Sequence, residues 1–478
     1  MFPWRVASAR LTAKPILWNR LGAFSSNKAS RLGSNMNITA TYTVMAGVVA
    51  VPGLWWWVTS NDDAPSIVGA PTAHLFAEPG PSKDEVTRIL SQEAYSFRVR
   101  NIPGVDRYDG TQLGSNSPCE DRFAHGKFPS PWNDGSQWMA LGVFDGHAGW
   151  QTADLLEKQL ISHVQQTLSQ LKPDSTGEPI PDEDVQRAIA AAFVNLDNLI
   201  IKTALDTAES TEPLQDKIKK QAVAYAGSCA LLSLYDPSTN NLYVACTGDS
   251  RAVLGQRGAG GKWEATPLSV DQTGDNKEEI ARLAKEHPGE ENIVKDGRVL
   301  GMMVSRAFGD GRWKWPLEFQ QDAVKRFYGI PPLTPKHDFK TPPYLTAEPV
   351  VTTTKIDPSK PSFLILATDG LWYTLKNQQA VDIVGKWVDS RTTGDTRNEP
   401  EPTYAPFEFG HFWKGVTYRF AGERMTTEDN NAAVSLLRNS LGGNHHELVA
   451  GRLAFSAPFA RRLRDDTTVQ VAFFNCKA

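Results

Sequence analysis

The sequence has few cysteines, little net charge and no internal repeat. Its 478 residues include four cysteines without CxxC spacing, which excludes a disulfide framework and a cysteine zinc site and indicates reduced thiols. A formal charge of −4 gives no basic field, so we do not expect nucleic acid as a partner. Hydrophobic residues make up 40% and charged residues 22%, which excludes a wholly disordered chain.

Acidic residues are absent from the first 61 positions, although six basic residues occur there. A leader without acids, with arginines, serines and apolar residues at roughly helical spacing, is typical of a mitochondrial presequence. We therefore expect a presequence over 1–35 and a mitochondrial location. A disordered basic tail is the alternative.

An uncharged segment follows at 36–59, and its part 38–58, at about 20 residues, is long enough to cross a lipid bilayer. Threonines, glycines and Pro52 make it only moderately apolar, so an inner-membrane anchor, a cleaved sorting signal and a buried segment all stay open. An anchor would place the folded part in the intermembrane space, and otherwise the matrix is expected. Residues 60–90 are expected to form a linker, because Pro, Gly and Ala are frequent there.

Apolar runs and alternating segments between turn residues predict six strands: 138–144, 229–235, 242–247, 251–256, 362–367 and 467–474. Short turns separate the second, third and fourth of these, so we expect them to form an antiparallel meander. Amphipathic periodicity predicts four helices: 151–171, 183–204, 276–286 and 377–388. This mixture indicates an α+β fold in which helices cover antiparallel sheets.

The folded domain is expected over 91–478. Two long segments within it, 311–350 and 389–460, are rich in Pro and aromatic residues and fit neither pattern. Segments of that length without a regular pattern are uncommon in a compact domain, so we expect both to be insertions.

Acidic residues beside predicted strand ends carry the strongest functional signal. They are Glu120, Asp121, Asp145, Asp249, Asp369 and Asp465. Mg²⁺ and Mn²⁺ take oxygen ligands from several chain segments, which a convergent carboxylate cluster would supply. For any single one of these residues a turn or surface role is the alternative, since Asp-Gly is a common turn pair. Most of them lack a local cation partner, so their convergence would be costly without metal.

His147 follows the Asp145-Gly146 pair, just ahead of a predicted helix. This position makes His147 a candidate general acid that protonates a leaving oxygen. The other histidines lack such a setting, and we expect surface or packing roles for them.

Eight short motifs occur in this order: CEDR (119–122), VFDGHAG (143–149), GSCA (227–230), TGDSRAVL (247–254), LSVDQ with a downstream Glu and Arg (268–282), GRVLGMMVSRAFGD (297–310), LILATDGLW (364–372) and RDDTTV (464–469). In this order they resemble the metal-dependent protein phosphatases, the PPM or type 2C Ser/Thr phosphatase family. The resemblance covers roughly 95 to 475. It implies a four-layer α/β/β/α sandwich, two antiparallel sheets flanked by helices, with a Mg²⁺ or Mn²⁺ centre.

The resemblance also implies which residues hold two metal ions. Carried across by position, Asp145, Asp369 and Asp465 would hold one ion. Glu120, Asp145 and the Gly146 carbonyl would hold the other.

A weaker third ion is implied at Asp249 and Asp369, with Asp310 as a further candidate ligand. By the same resemblance, Asp121 would orient metal-bound water, and a hydroxide that bridges the two ions would attack phosphorus in line. His147 would then protonate the departing Ser or Thr oxygen.

Two positions depart from the family pattern. Asn116 stands where many members have an arginine that binds the substrate phosphate, and the SNSPCEDR segment around it resembles the pyruvate dehydrogenase phosphatase branch. Tyr373 replaces the last aspartate of a DGLWD motif. Because Asp369 is intact, we expect changed surroundings of the metal without its loss.

The resemblance therefore implies a protein Ser/Thr phosphatase that acts on a phosphorylated protein, with the E1 subunit of pyruvate dehydrogenase as the suggested substrate. A catalytically silent pseudophosphatase scaffold is one alternative, although no metal aspartate has been lost. A small-molecule phosphatase that uses the same centre is the other.

Overall fold

The chain divides into two units, Met1–Ala77 and Glu78–Ala478. The computed structural model describes residues of the second unit: 80–171, 180–327, 329–393, 403–410 and 418–476. The predicted presequence at 1–35, the uncharged segment at 36–59 and most of the predicted linker lie outside the described residues.

The strands within the described residues are β1 Tyr95–Arg98, β2 Val105–Leu113, β3 Arg122–Pro129, β4 Gln137–Phe144, β5 Gly146–His147, β6 Gly227–Ser228, β7 Ala230–Asp236, β8 Asn241–Thr247, β9 Arg251–Arg257, β10 Trp263–Pro267, β11 Val294–Lys295, β12 Arg298–Val299, β13 Phe308–Gly309, β14 Val350–Lys355, β15 Ser362–Ala367 and β16 Thr467–Phe474. Six of them form an antiparallel sheet in the order β1-β2-β16-β15-β9-β10. Five form a second antiparallel sheet in the order β14-β8-β7-β4-β3, and smaller sheets join β13-β6-β5 and β11-β12.

The helices in the same part of the chain are α1 Lys83–Leu90, α2 Gln151–Leu168, α3 Asp182–Glu209, α4 Leu214–Tyr225, α5 Lys277–Glu286, α6 Gly311–Lys314, α7 Leu317–Phe327, α8 Asp369–Trp372, α9 Asn377–Thr393, α10 Ala432–Leu441 and α11 His446–Leu453. On the five-stranded sheet, α2 and α3 pack Leu160 and Phe193 into a core shared with Trp138. On the six-stranded sheet, α9 packs Trp387 into a core with Phe473. The predicted α/β/β/α sandwich is confirmed.

A third core lies between the two sheets. Leu141 and Val143 of β4 contribute to it from one side, and Leu364 and Leu366 of β15 from the other. The alternate residues of both strands belong to the helix-covered cores instead. Because both faces of these strands are buried, their sequences are continuously apolar rather than alternating.

The predicted meander was wrong for its third strand. β7 and β8 pair as expected, but β9 pairs with β15 and β10 in the other sheet. The turn between β8 and β9 therefore carries the chain from one sheet to the other. Gly248 in this turn has φ 105, and a Cβ there would collide with the Cys229 thiol, so the crossover requires glycine.

The predicted linker extends too far at its C-terminal end. Residues Lys83–Leu90 form α1, which is capped by Ser82 and buries Val86 and Leu90. The two buried residues pack against α10 and α11, so this stretch belongs to the folded domain.

The predicted insertion at 389–460 was too wide. All ten residues of α10 are buried, and the helix packs over β2 and β16. Its pattern was obscured by buried polar residues such as Arg438, which forms an ion pair with Asp429. The other predicted insertion, 311–350, contributes Trp313 and Tyr344 to a separate small core with α5.

Helix α3 is the one helix in the described ranges that is long and apolar enough to cross a membrane. Its buried side chains, including Phe193 and Leu196, lie in the core beneath the five-stranded sheet. Packing within the domain therefore accounts for its apolar composition.

Candidate metal centre

Three aspartates meet where strands of both sheets end. Asp145 follows β4, Asp249 lies in the crossover between β8 and β9, and Asp369 begins α8 directly after β15. Each offers a carboxylate oxygen, and these oxygens lie within 4.8 Å of one another. The backbone N–H of Asp369 also donates to Asp145 Oδ2 at 3.4 Å. The sandwich thus brings together three of the six acids singled out in the sequence.

Burial raises the pKa of all three carboxyls, and repulsion within the cluster adds to this effect at Asp145 and Asp249. Desolvation is the largest cause for Asp145, followed by the charges of Asp369 and Asp121, and its pKa lies well above its usual range. The pKa of Asp249 rises to about 7, because burial and the Asp369 charge act together. Burial also raises the pKa of Asp369, against hydrogen bonds from its neighbours and the charge of Arg461. In the described part of the chain, the positive charge near these carboxyls is too small to keep their pKa values in the usual range.

Asp121 lies fully buried near these carboxylates. Its Oδ2 accepts hydrogen bonds from Thr468 at 2.7 Å and from Thr368 at 3.0 Å, whereas Oδ1 has no protein partner. Burial, and then the charge of Asp466, raise its pKa to about 8, although both threonine hydroxyls act in the opposite direction. A buried carboxylate oxygen without a partner can accept a hydrogen bond from a water molecule in the site.

Glu120 and Asn116 belong to one loop that Asp466 organises. Asp466 Oδ2 accepts from the Glu120 backbone at 2.8 Å and from Asn116 Nδ2 at 3.1 Å, and its Oδ1 accepts from the Ser115 hydroxyl and the Asn116 backbone. These backbone and side-chain donors lower the pKa of Asp466 despite its burial. The Glu120 carboxylate accepts from the Gly149 N–H at 2.6 Å and from Asn116 Nδ2 at 3.1 Å. Glu120 lies outside the tight group of three.

Asp465 also lies outside this group. Its carboxylate pairs with the guanidinium of Arg461, which comes from a single 3₁₀ turn, Ala460–Arg462, just before β16. The Asp466 backbone N–H donates to the same Asp465 carboxylate at 2.7 Å. The Asp465 side chain keeps 20% of its surface exposed.

His147 is paired with Asp310. The imidazole Nε2 lies 2.7 Å from Asp310 Oδ2, and Asp310 is only 1% exposed. Burial opposes the charged imidazolium, but the Asp310 carboxylate outweighs it, so the pKa of His147 is raised. The family resemblance makes Asp310 a candidate ligand of the third ion. In the structure, its Oδ2 lies against His147. The second oxygen, Oδ1, is buried without a protein partner.

The backbone around this pair is held tightly. A Cβ at Gly227 would collide with both His147 Nε2 and Asp310 Oδ2, so only glycine leaves room for the pair. Asp197 of α3 accepts from the Gly309 N–H at 2.8 Å and from Lys314 at 2.6 Å. This buried ion pair fixes the segment that carries Asp310.

Tyr373 contributes a hydroxyl to the rim of the cluster. It is 51% exposed, and its hydroxyl lies near enough to Asp369 for the two groups to shift each other's pKa. Burial of the ring, and then the Asp369 charge, raise the pKa of Tyr373. The residue that departs from the family pattern thus lies within electrostatic reach of the acidic centre.

The donor set fits hard divalent cations. Carboxylate oxygens from separate chain segments are the ligands that Mg²⁺ and Mn²⁺ prefer, and positive ions would relieve the repulsion that raises the pKa values. Gly146 is buried, with its backbone against the Glu120 carbonyl, which places both residues beside Asp145. The Cys229 thiol also lies beside the cluster, where it donates a hydrogen bond to Asp249 Oδ1 at 3.3 Å.

Sequence reasoning missed several residues that build this site. Asp466 and the two threonines that bond Asp121 were not singled out, and neither was Arg461. Asp466 could have been suspected from the adjacent aspartates in RDDTTV, but no spacing indicates which of the two faces the loop at Ser115. The Arg461–Asp465 pair has the i, i+4 spacing of a helical ion pair, which is common on surfaces.

We expect the metal-free protein to lose stability as the pH rises from 6.5 to 8.5. The raised pKa values of Asp249 (about 7) and Asp121 (about 8) mean that the folded state binds protons more tightly than the unfolded chain. Each group lowers the free energy of unfolding by up to about 1.4 kcal/mol per pH unit until the pH passes its pKa in the folded state, so the loss should level off above about pH 8. His125, whose pKa burial lowers to about 4, has the opposite effect only below about pH 6.5. Urea unfolding in EDTA measures this change.

Saturating Mn²⁺ provides the control for this pH dependence. Bound cations keep the carboxylates ionised in the folded state, so the loss of stability between pH 6.5 and 8.5 should shrink. Equal or greater stability at pH 8.5 in EDTA would contradict the expected repulsion.

Comparison with known proteins gives a consistent result. The family model described as protein phosphatase 2C matches residues 108–401. A protein phosphatase 2C homolog of Schizosaccharomyces pombe is 38% identical over 398 residues, covering 82% of this chain and 86% of that protein.

Two further relatives carry a more specific name. The mitochondrial [pyruvate dehydrogenase [acetyl-transferring]]-phosphatase 1 of Saccharomyces cerevisiae is 36% identical, with 80% of this chain and 71% of that protein covered. The protein of the same name from Bos taurus is 32% identical, with 82% of each chain covered.

Proposed function

This chain belongs to the protein phosphatase 2C family, and from that premise we propose that its acidic centre hydrolyses phosphoserine and phosphothreonine in a mitochondrial protein. The chain is a protein Ser/Thr phosphatase of the metal-dependent kind. The observation that carries the proposal is the convergence of Asp145, Asp249 and Asp369 within 4.8 Å.

We propose that these three aspartates hold Mg²⁺ or Mn²⁺ together with Glu120, Asp465 and the Gly146 carbonyl, as two ions and a weaker third. Divalent ions bound there supply positive charge that neutralises the phosphate ester and makes water a stronger nucleophile. The unpartnered Oδ1 of Asp121 then accepts a hydrogen bond from the attacking water and orients it. The water attacks phosphorus in line with the departing oxygen.

His147 supplies the proton to the leaving group in this proposal. The imidazole Nε2 lies 2.7 Å from Asp310 Oδ2, and this pairing raises the pKa of His147 against the effect of burial and so favours the protonated form. Protonation lets a Ser or Thr oxygen leave as a neutral hydroxyl rather than as an alkoxide. No covalent enzyme intermediate is required.

As substrate we propose the phosphorylated E1 subunit of pyruvate dehydrogenase. The support is the name shared by the relatives from yeast and cattle, together with the Asn116 segment and the leader composition. The same names support a mitochondrial location, and this substrate requires the matrix. If 38–58 anchors the chain in the inner membrane instead, a phosphoprotein of the intermembrane space becomes the target.

The test compares phosphate release from three substrates by the purified full chain. We expect Mn²⁺- or Mg²⁺-dependent release from phosphorylated pyruvate dehydrogenase complex, abolished by EDTA, at a kcat/KM at least about tenfold above that for phosphocasein. Free phosphate esters such as glycerol phosphate should be poorer still, because they lack a protein surface.

Each other outcome has a definite meaning. Equal rates on casein and on the dehydrogenase would contradict the proposed substrate but not the chemistry. Preference for free esters would favour the small-molecule phosphatase. Absence of turnover despite Mn²⁺ binding would favour the pseudophosphatase scaffold.

A further inference from the structure

A substrate phosphate that approaches the acidic centre needs hydrogen-bond donors as well as metal ions. The carboxylates of Asp145, Asp249 and Asp369 are all acceptors and carry the same sign of charge as the phosphate. An arginine guanidinium is well suited to bind phosphate oxygens, because its planar N–H groups match them in pairs.

Asn116 does not provide free donors. Its side-chain amide donates to Glu120 Oε2 and to Asp466 Oδ2, both at 3.1 Å, and its backbone N–H donates to Asp466 as well. The Asn116 donors are therefore occupied by the carboxylates of Glu120 and Asp466.

Three arginines near the centre are engaged elsewhere. Arg122 donates to the carbonyls of Cys119 and Asp121 and lies over the Trp150 ring. Arg251 forms a two-pronged pair with Asp271 and lies over Trp372.

Arg464 is similarly occupied. Its guanidinium donates to the backbone carbonyls of Arg452, Gly114 and Phe455. Burial lowers its pKa to about 10. A guanidinium held by several carbonyls away from solvent is not available to an incoming substrate.

Arg461 differs from these three arginines in two respects. Its side chain is 49% exposed, and its one ion pair in the described residues is with Asp465, a proposed metal ligand. Its charge also acts on Asp369, where it opposes the rise in pKa that burial causes. Arg461 is therefore both open to solvent and within electrostatic reach of the acids.

We propose that Arg461 binds the phosphate group of the substrate. The proposal rests on the phosphatase function given above, and it makes Arg461 a catalytic residue that touches the reacting group. With its carboxylate engaged by a bound cation, Asp465 would hold Arg461 less, and the Arg461 N–H groups would be available to phosphate oxygens. Arg461 contacts bound phosphate before and during the reaction, so its loss should raise KM more than it lowers kcat.

The experiment measures binding of inorganic phosphate to the Mn²⁺-loaded full chain by calorimetry. Arg461→Ala should weaken this binding by about tenfold to a hundredfold, as expected for loss of a charge-assisted hydrogen bond. Arg461→Lys should retain part of the affinity, because the charge remains but the paired geometry is lost. Arg462→Ala, which removes the next arginine of the same turn, should bind phosphate like the wild type.

Mn²⁺ affinity is measured on the same variants. If Arg461→Ala weakens Mn²⁺ binding but leaves phosphate affinity unchanged at saturating Mn²⁺, Arg461 merely orients Asp465 and the proposal is overturned. Unchanged phosphate affinity with unchanged Mn²⁺ affinity overturns it as well.

Failure of the phosphatase function has a different signature. In that case the wild-type chain itself would show no Mn²⁺-dependent hydrolysis, whatever the arginine variants do. An active wild type with an unaffected Arg461→Ala variant would contradict the assignment of Arg461 alone. Thermal unfolding of each variant checks that this half-exposed position tolerates the change.

Discussion

Asp145→Asn should abolish metal-dependent hydrolysis while making the metal-free protein more stable. Asp145 lies close to Asp249 and Asp369, and burial, followed by the charges of the neighbouring carboxylates, raises its pKa. Asparagine keeps the size of the side chain but cannot supply an ionised oxygen to a cation. We expect kcat to fall by at least about 10³-fold, which corresponds to about 4 kcal/mol of lost transition-state stabilisation.

The gain in stability distinguishes a metal ligand from a structural residue. Removing one charge from a repulsive cluster should raise the urea midpoint in EDTA, whereas most buried substitutions lower it. Mn²⁺ should no longer raise the midpoint, because stabilisation by a ligand depends on its affinity for the folded state.

Asp154→Asn is the matched control for this experiment. Asp154 is a partly buried aspartate of α2 that pairs with Lys158, so the variant removes the same charge outside the cluster. It should retain both activity and the Mn²⁺ effect on stability. An Asp145→Asn variant that is still stimulated by Mn²⁺ would show that the three aspartates are not the metal site.

His147→Gln should slow the hydrolysis of phosphopeptides by about 10²- to 10³-fold, the usual contribution of a general acid. p-Nitrophenyl phosphate should be affected by less than about tenfold, because its phenolate leaves readily without a proton. The ratio of the two rates therefore reports proton donation, which a general loss of structure would not change.

Asp310→Asn extends the same test. The amide that replaces the carboxylate is neutral and could not favour the imidazolium, so we expect a smaller loss with the same dependence on the leaving group. His163→Gln, on the exposed face of α2, is the control and should leave both rates unchanged. Equal losses on both substrates for His147→Gln would contradict a role as proton donor.

The strands buried on both faces were predicted best from the sequence. β15 and β16 were placed at 362–367 and 467–474, where the structure has them, because a run of apolar residues is unambiguous when flanked by turns. The partner of β9 was not predictable in this way. Sheet membership depends on pairing with residues far along the chain, and no local pattern encodes it.

For the site as well, the residues within motifs could be predicted from the sequence, whereas contacts between distant segments could not. The motifs identified Asp145, Asp249 and Asp369 as acids at strand ends, and the structure brings them together. The His147–Asp310 pair and the loop held by Asp466 depend on side chains that meet only after folding. Their residue types are ordinary in loops, so the sequence alone does not distinguish them from turn residues.

The Cys229 thiol beside Asp249 has a consequence for oxidative stress. Burial, and then the charges of Asp249 and Asp145, raise its pKa well above the usual range, which favours the protonated thiol over the thiolate. Peroxides attack the thiolate rather than the thiol. We therefore expect the sulfur beside the acidic centre to react slowly with peroxides.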